Sequence, residues 1–265
     1  MVALDDMCTL LFVPANRAER FAKAAASRPD AVILDLEDAV ASGDKDTARR
    51  MLECGFTDLP VLVRINPLGT PWHDADLRAV IALRPAAVML PKADNPRQIA
   101  GVTKALGDIP LLALIESARG MAEARAIASL PSVRRLVFGS VDYCADLGML
   151  HEQSLLLPAR NELVLASRLT SIAAPIDGVT TRLDDPELLL GDAAHARAVG
   201  MTGKLCIHPK QVESVRAAFT PGEKEIAWAN RVLAARDGAV AIDGEMVDAP
   251  VRAKARRILA AARPQ

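Results

Sequence analysis

Apolar and polar positions alternate along this chain in blocks, and eight of the apolar blocks are short: TLLFVPAN, AVILDLED, VLVRINP, AAVMLPK, PLLALIES, RLVFGSVD, APIDGVT and GKLCIHP. Most end on a charged or hydrogen-bonding residue. A strand buried on both faces reads as such a run, and in a parallel barrel the carboxyl ends of successive strands converge on one mouth. Asn16, Glu37, Asp38, Arg64, Lys92, Glu116, Asp142 and His208 are then expected to line a single wall.

The segments between the runs have helical periodicity. RAERFAKAAASRP puts Phe21, Ala24 and Ala25 on one face and is expected to end at a proline, and DKDTARRMLECG is expected to stop at Gly55. DADLRAVIALRP, NPRQIAGVTKALGD, SARGMAEARAIASLP, QSLLLPARNELVLASRLTSI and DPELLLGDAAHARAVG continue the alternation. Repeated strand–helix units predict parallel pairing with right-handed crossovers, and closure into a (β/α)8 barrel is the simplest sheet for eight of them. A doubly wound open sheet would carry a glycine-rich phosphate turn after its first strand. VPANRAER has no glycine.

Past the eighth run the pattern changes, so the barrel is assigned to residues 1–220 and a small cap to residues 221–265. HPKQVESVRAAF and PGEKEIAWANRVLAARDG predict two helices, the second starting at Pro221 and ending at Gly238. AVAIDGEMVDAP predicts two short extended pieces around an Asp243-Gly244 turn, and PVRAKARRILAAARP a final amphipathic helix. The cap is too small to fold alone, and is expected to pack on its own barrel or on a neighbour's.

Composition narrows the function class. With 32 basic and 33 acidic residues there is no basic run to follow a phosphate backbone or an anionic membrane, so nucleic-acid and membrane partners are not expected. Apolar residues make up 51% of the chain, yet no stretch approaches the roughly 20 needed to span a bilayer. A start of MVALDDMCTLLFVPAN is acidic and runs into the first strand, which suits a cytosolic protein. Cys8, Cys54, Cys144 and Cys206 lack zinc-type spacing and read as reduced thiols.

The mouth residues suggest chemistry. Glu116 and Asp142, assigned to the ends of adjacent strands five and six, could share a hard cation such as magnesium, or each could cap the helix that follows it. Arg64 ends the third strand, where a planar cation suits a carboxylate or a developing alkoxide; its alternative role is a salt bridge to Glu37 or Asp38. Asp35 and Glu37 should share a strand face, which gives Glu37 the inward role of orienting Arg64 or a bound water and leaves Asp38 at the start of the loop. Asn16, Lys92 and Asp38 join Arg64 as candidate substrate contacts. Arg17 and Lys23 are candidate contacts for phosphates, and no catalytic role is expected for His208 or His73.

VPAN, LDLEDAV, VRINPLGT, LPK, ALIESARG, FGSVDYCADLG, CIHPKQV and DGEMVD, in this order and at barrel spacing, resemble the citrate lyase beta subunit-like branch of the HpcH/HpaI aldolase family. The resemblance spans nearly the whole chain. It implies a (β/α)8 barrel, a magnesium ion, and reversible cleavage of a 3-hydroxyacyl thioester of the citryl, malyl or citramalyl kind, carried on coenzyme A or an acyl carrier protein. It also implies a homotrimer or hexamer in which a neighbour contributes the cap, with Asp248 of DGEMVD reaching the site as the acid and base at the enolate carbon. A turn or helix-cap role before Pro250 is the alternative for Asp248. Many relatives carry an acid immediately before the metal-binding aspartate; here Val141 stands there. Two other functions are compatible with the resemblance: a free-acid aldolase giving pyruvate and an aldehyde, and a non-catalytic subunit that binds an acyl carrier, which the set Glu116, Asp142 and Arg64 argues against.

Overall fold

The computed structural model describes residues 2–235, 240–242 and 245–262. Eight strands, β1 (Thr9–Pro14), β2 (Ala31–Asp35), β3 (Val61–Arg64), β4 (Ala87–Leu90), β5 (Leu111–Ile115), β6 (Val133–Phe138), β7 (Ala173–Asp177) and β8 (Gly203–Cys206), pair in sequence order, all parallel, and β1 closes on β8. The expected (β/α)8 barrel is therefore present. Its helices are α1 (Phe21–Ala26), α2 (Lys45–Arg50), α3 (His73–Leu83), α4 (Pro96–Leu106), α5 (Ala118–Ala122), α6 (Ala124–Ala128), α7 (Ser140–Leu147), α8 (Gln153–Leu169), α9 (Pro186–Ala198) and α10 (Gln211–Phe219).

The chain divides into two compact units, Met1–Arg216 and Ala217–Gln265, with the boundary inside α10. In the first, alternate strand residues fill the barrel: Leu10, Ile33, Leu62, Met89, Leu112, Leu114, Val137, Ile176 and Leu205 belong to one buried cluster. Arg135 closes its amino-terminal end. Fully buried, it donates to the carbonyls of Leu4, Met7 and Ala174 and to Thr202 Oγ1, and burial pulls it down to about 10. In the second unit, α11 (Glu223–Ala234), α12 (Ala249–Ala261) and the antiparallel strands β9 (Val240–Ile242) and β10 (Glu245–Val247) are present, and Ala229, Val232, Val247 and Ala255 form a core of their own.

Several helices depart from the periodicity. α2 ends at Arg50, well short of Gly55, because the chain leaves helical geometry after Met51. SARGMAEARAIASLP forms two helices rather than one, broken at Glu123. FGSVDYCADLG contains an additional helix, α7, closed by Gly148 in the left-handed region at φ 65°. α11 begins at Glu223, not Pro221, and ends at Ala234; Gly238 and the Asp243-Gly244 turn lie outside the described residues. No helix of the described residues is long and apolar enough to cross a membrane.

Candidate active site

Asp35 and Arg64 are the last residues of β2 and β3 and stand opposite each other in the ladder. That register allows a two-pronged ion pair: Arg64 Nε donates to Asp35 Oδ1 and Nη2 to Oδ2, both at 2.7 Å. The Phe12 ring lies 4.6 Å beneath the guanidinium. Burial works against the arginine's charge, but Asp35 and Glu37 outweigh it and hold Arg64 above its ordinary range. Sequence reading named Glu37 or Asp38 as the partner and did not single out Asp35. Its signal was present, since DLED and VRIN place an acid and a base at equal depth on neighbouring strands.

Glu37 lies two residues past the end of β2, and its carboxylate is nearly bare of hydrogen bonds. Arg64 Nη1 is 2.9 Å from Oε2 and Lys92 Nζ 3.8 Å from Oε1, yet neither buried oxygen has an aligned donor. Burial pushes Glu37 up to about 8, with the Glu116, Asp38 and Asp35 charges adding and Arg64 opposing. Asp38 itself is exposed on the loop.

Glu116 directly follows β5. Its Oε1 accepts the Lys92 backbone N–H at 2.7 Å, and Lys92 adopts φ 49°, a left-handed conformation uncommon for a non-glycine residue, which it shares with Arg28, Arg84 and Ser171. Gly139 makes room on the other side: a Cβ there would come within 2.5 Å of Glu116 Oε2 and collide with Glu116 Cβ. Burial raises Glu116 to about 7; the Lys92 amide opposes this and the Asp142 charge reinforces it. Asp142 does not end β6 as expected. It lies in the first turn of α7, four residues beyond Phe138, and reaches the mouth from there. An open cavity of about 440 Å³ is lined by Val141, His151, Thr181, Arg182, Asp185 and Leu188, with neither Glu116, Asp142 nor Arg64 in its wall.

Four carboxylates, Asp35, Glu37, Glu116 and Asp142, thus gather with the cations of Arg64 and Lys92. The crowding of acids that raises Glu37 and Glu116 is what a divalent ion would relieve, and their oxygen donors suit a hard one. Among the described residues no three His, Cys, Asp or Glu side chains form a metal-binding group; Glu116 and Asp142, whose charges act on each other, are a pair that could hold an ion if substrate and water completed its shell.

The remaining candidates are less committed. Asn16 sits near the mouth with its Oδ1 buried and without a partner. Arg17 pairs with Glu19 at 2.6 Å, and Lys23 is exposed on α1. His208 Nδ1 accepts the Lys210 N–H and His73 Nδ1 contacts the Asn66 carbonyl, so both have local structural partners. Asp248 caps α12, its Oδ1 accepting the Val251 N–H at 3.2 Å. A second charged group escaped sequence reading: Asp177 on β7 binds Arg160 of α8 at 2.9 and 3.2 Å and Lys204 of β8 at 2.9 Å, all three fully buried. The charged positions inside APIDGVT and GKLCIHP were the clue, because a buried charge needs a partner.

Known proteins resemble this chain along most of its length. The chain is 39% identical to a citrate lyase subunit beta-like protein of Deinococcus radiodurans, covering 95% of each. It is 33% identical to a (3S)-malyl-CoA thioesterase of Cereibacter sphaeroides, covering 96% of this chain and 94% of that one. The crystal structure of CitE from Mycobacterium tuberculosis in complex with magnesium, acetoacetate and coenzyme A superposes with a TM-score of 0.86 at 37% identity, covering 98% of this chain and 99% of that one. The family profile matches residues 8–209, and on this evidence the chain belongs to the HpcH/HpaI aldolase/citrate lyase family.

Proposed function

We propose that this protein is a magnesium-dependent carbon–carbon lyase that reversibly cleaves a 3-hydroxyacyl thioester into a shorter acyl thioester and a 2-keto acid. The observation that carries the reading is the meeting of Glu116, loaded by the Asp142 charge, with Arg64 at one barrel mouth. A relative with magnesium, acetoacetate and coenzyme A bound supports it further. Glu116 and Asp142 would hold the magnesium ion, which when bound would supply Lewis-acid polarisation of substrate oxygens. Arg64, clamped by Asp35, presents its guanidinium to the hydroxyl oxygen of the acid half, which carries negative charge once its proton has passed to water and becomes the keto oxygen as the carbon–carbon bond breaks. Glu37 orients Arg64 from the other side, and Asn16 and Lys92 line the keto-acid half.

Asp248 delivers a proton to the enolate carbon of the departing thioester and removes one in the condensing direction. We place it in a neighbouring subunit's site, in a trimer or hexamer; Arg17 and Lys23 are the proposed contacts for phosphates of coenzyme A or an acyl carrier. The four free thiols suit a cytosolic setting.

Glu116→Gln is the direct test. The variant should bind magnesium more weakly and turn over more slowly while keeping the wild-type circular dichroism spectrum, because an amide is a poorer partner for a hard cation. Unchanged affinity in a calorimetric titration would remove Glu116 from the site.

A further inference from the structure

The carboxylate of Glu37 lies 2.9 Å from Arg64 Nη1 but has no aligned hydrogen bond, so where it points depends also on how its backbone is held. The main chain supplies the answer. Leu36 and Glu37 lie past the last ladder residue of β2, where strand pairing no longer serves their carbonyls. Lys45, the first residue of α2 and only 5% exposed, donates its Nζ to both carbonyls at 2.7 Å each. Asn66 Nδ2 adds a donor to the Leu36 carbonyl at 3.0 Å and is itself held by Asp76 at 2.6 Å. The Glu37 N–H is tied to Asp35 Oδ1 at 2.9 Å. Over the ammonium lies the Trp72 ring, 5.2 Å from Nζ, which joins the segment after β3 to the same clamp.

A buried ammonium is a demanding group to keep, since it must satisfy its donors or lose its charge. Here its identified acceptors are two adjacent carbonyls flanking the Cα of the residue beside Arg64. We propose that Lys45 is a positioning residue, which fixes the Leu36–Glu37 backbone so that the Glu37 carboxylate meets Arg64 in the reactive geometry. The role of Arg64 and Glu37 rests on the lyase reading above; the clamp itself does not.

Two measurements separate these. In hydrogen–deuterium exchange, Lys45→Met should accelerate exchange in the segment 36–40 and leave the β2 residues around Ile33 unchanged. Lys45→Gln, which keeps a donor but is too short to reach both carbonyls, should do the same. Wild-type exchange in segment 36–40 in both variants overturns the proposal, whatever the protein catalyses. In steady-state kinetics, Lys45→Met should lower kcat about 10- to 100-fold with KM nearly unchanged, the scale of a small misplacement of catalytic groups. In a Glu37→Gln background the same substitution should add less than about twofold, because the residue it positions is already disabled. Losses that multiply would show that Lys45 acts on stability rather than through Glu37. A wild-type protein without lyase activity would sink the functional reading and leave the exchange result to decide the clamp.

Discussion

Arg64 holds two carboxylates with one guanidinium, and this arrangement distinguishes it from a lysine. Arg64→Lys keeps the charge but cannot span both Asp35 oxygens and Glu37, so turnover is expected to fall about 10²- to 10³-fold with the fold intact. Near-normal rates would assign Arg64 to neutralising buried acids alone. Glu37 makes a pH prediction whose sign follows from its raised value of about 8. Between the ordinary glutamate range and that value the folded protein binds a proton that the unfolded chain has released, so its contribution to stability is full below the window and fades as pH rises through it. Glu116, raised to about 7, acts in the same direction. The melting temperature of the metal-free protein should therefore decline between about pH 5 and 8, and Glu37→Gln should flatten that decline; an equal slope in the variant would remove Glu37 as its source. Gly139 is constrained as tightly as any charged residue, because a methyl group there occupies the space of Glu116. Gly139→Ala is expected to weaken magnesium binding in a calorimetric titration by pushing the Glu116 carboxylate aside, with neither proposed ligand residue replaced.

At the scale of elements, the strands were readable because double burial leaves uninterrupted apolar runs, and Arg64 ends its strand as those runs imply. Helix limits were harder to see. α7 hides in a segment that begins as strand β6, and its periodicity spans barely two turns, which explains why Asp142 was assigned to a strand end when it stands on a helix. Asp35 and Lys45 were visible as residues but not as partners, since pairing depends on register and on the path of the loop after β2, which no local pattern encodes. The Asp177 network is a second case, joining β7, β8 and α8 from three separate motifs. Asp177→Asn would leave Arg160 and Lys204 buried with their shared anion gone. A loss of about 3–5 kcal/mol in denaturant unfolding is expected, and a loss under about 1 kcal/mol would mean that the two cations find other acceptors.

For the whole molecule, the proposed role of Asp248 requires the residues 217–265 that include it to serve a barrel mouth. If the cap serves a neighbour's barrel, an assembly mixing Glu116→Gln chains with Asp248→Ala chains contains some sites with both groups intact. Hybrids purified from co-expression should then recover activity well above either parent, and verified hybrids without recovery would confine Asp248 to its own chain or remove it from the reaction. The central claim, magnesium-dependent cleavage of a thioester at carbon, is tested most directly by one product analysis. Malyl, citramalyl and citryl thioesters of coenzyme A, and the matching free acids, are incubated with the protein with and without magnesium, and the 2-keto acid and the thioester products are quantified together. At least one thioester should yield a 2-keto acid and a shorter acyl thioester in equal amounts, only with magnesium, while the free acids remain intact. Release of free coenzyme A with an intact hydroxy acid would contradict the lyase assignment, and keto acid formed from the free acids alone would contradict the thioester substrate.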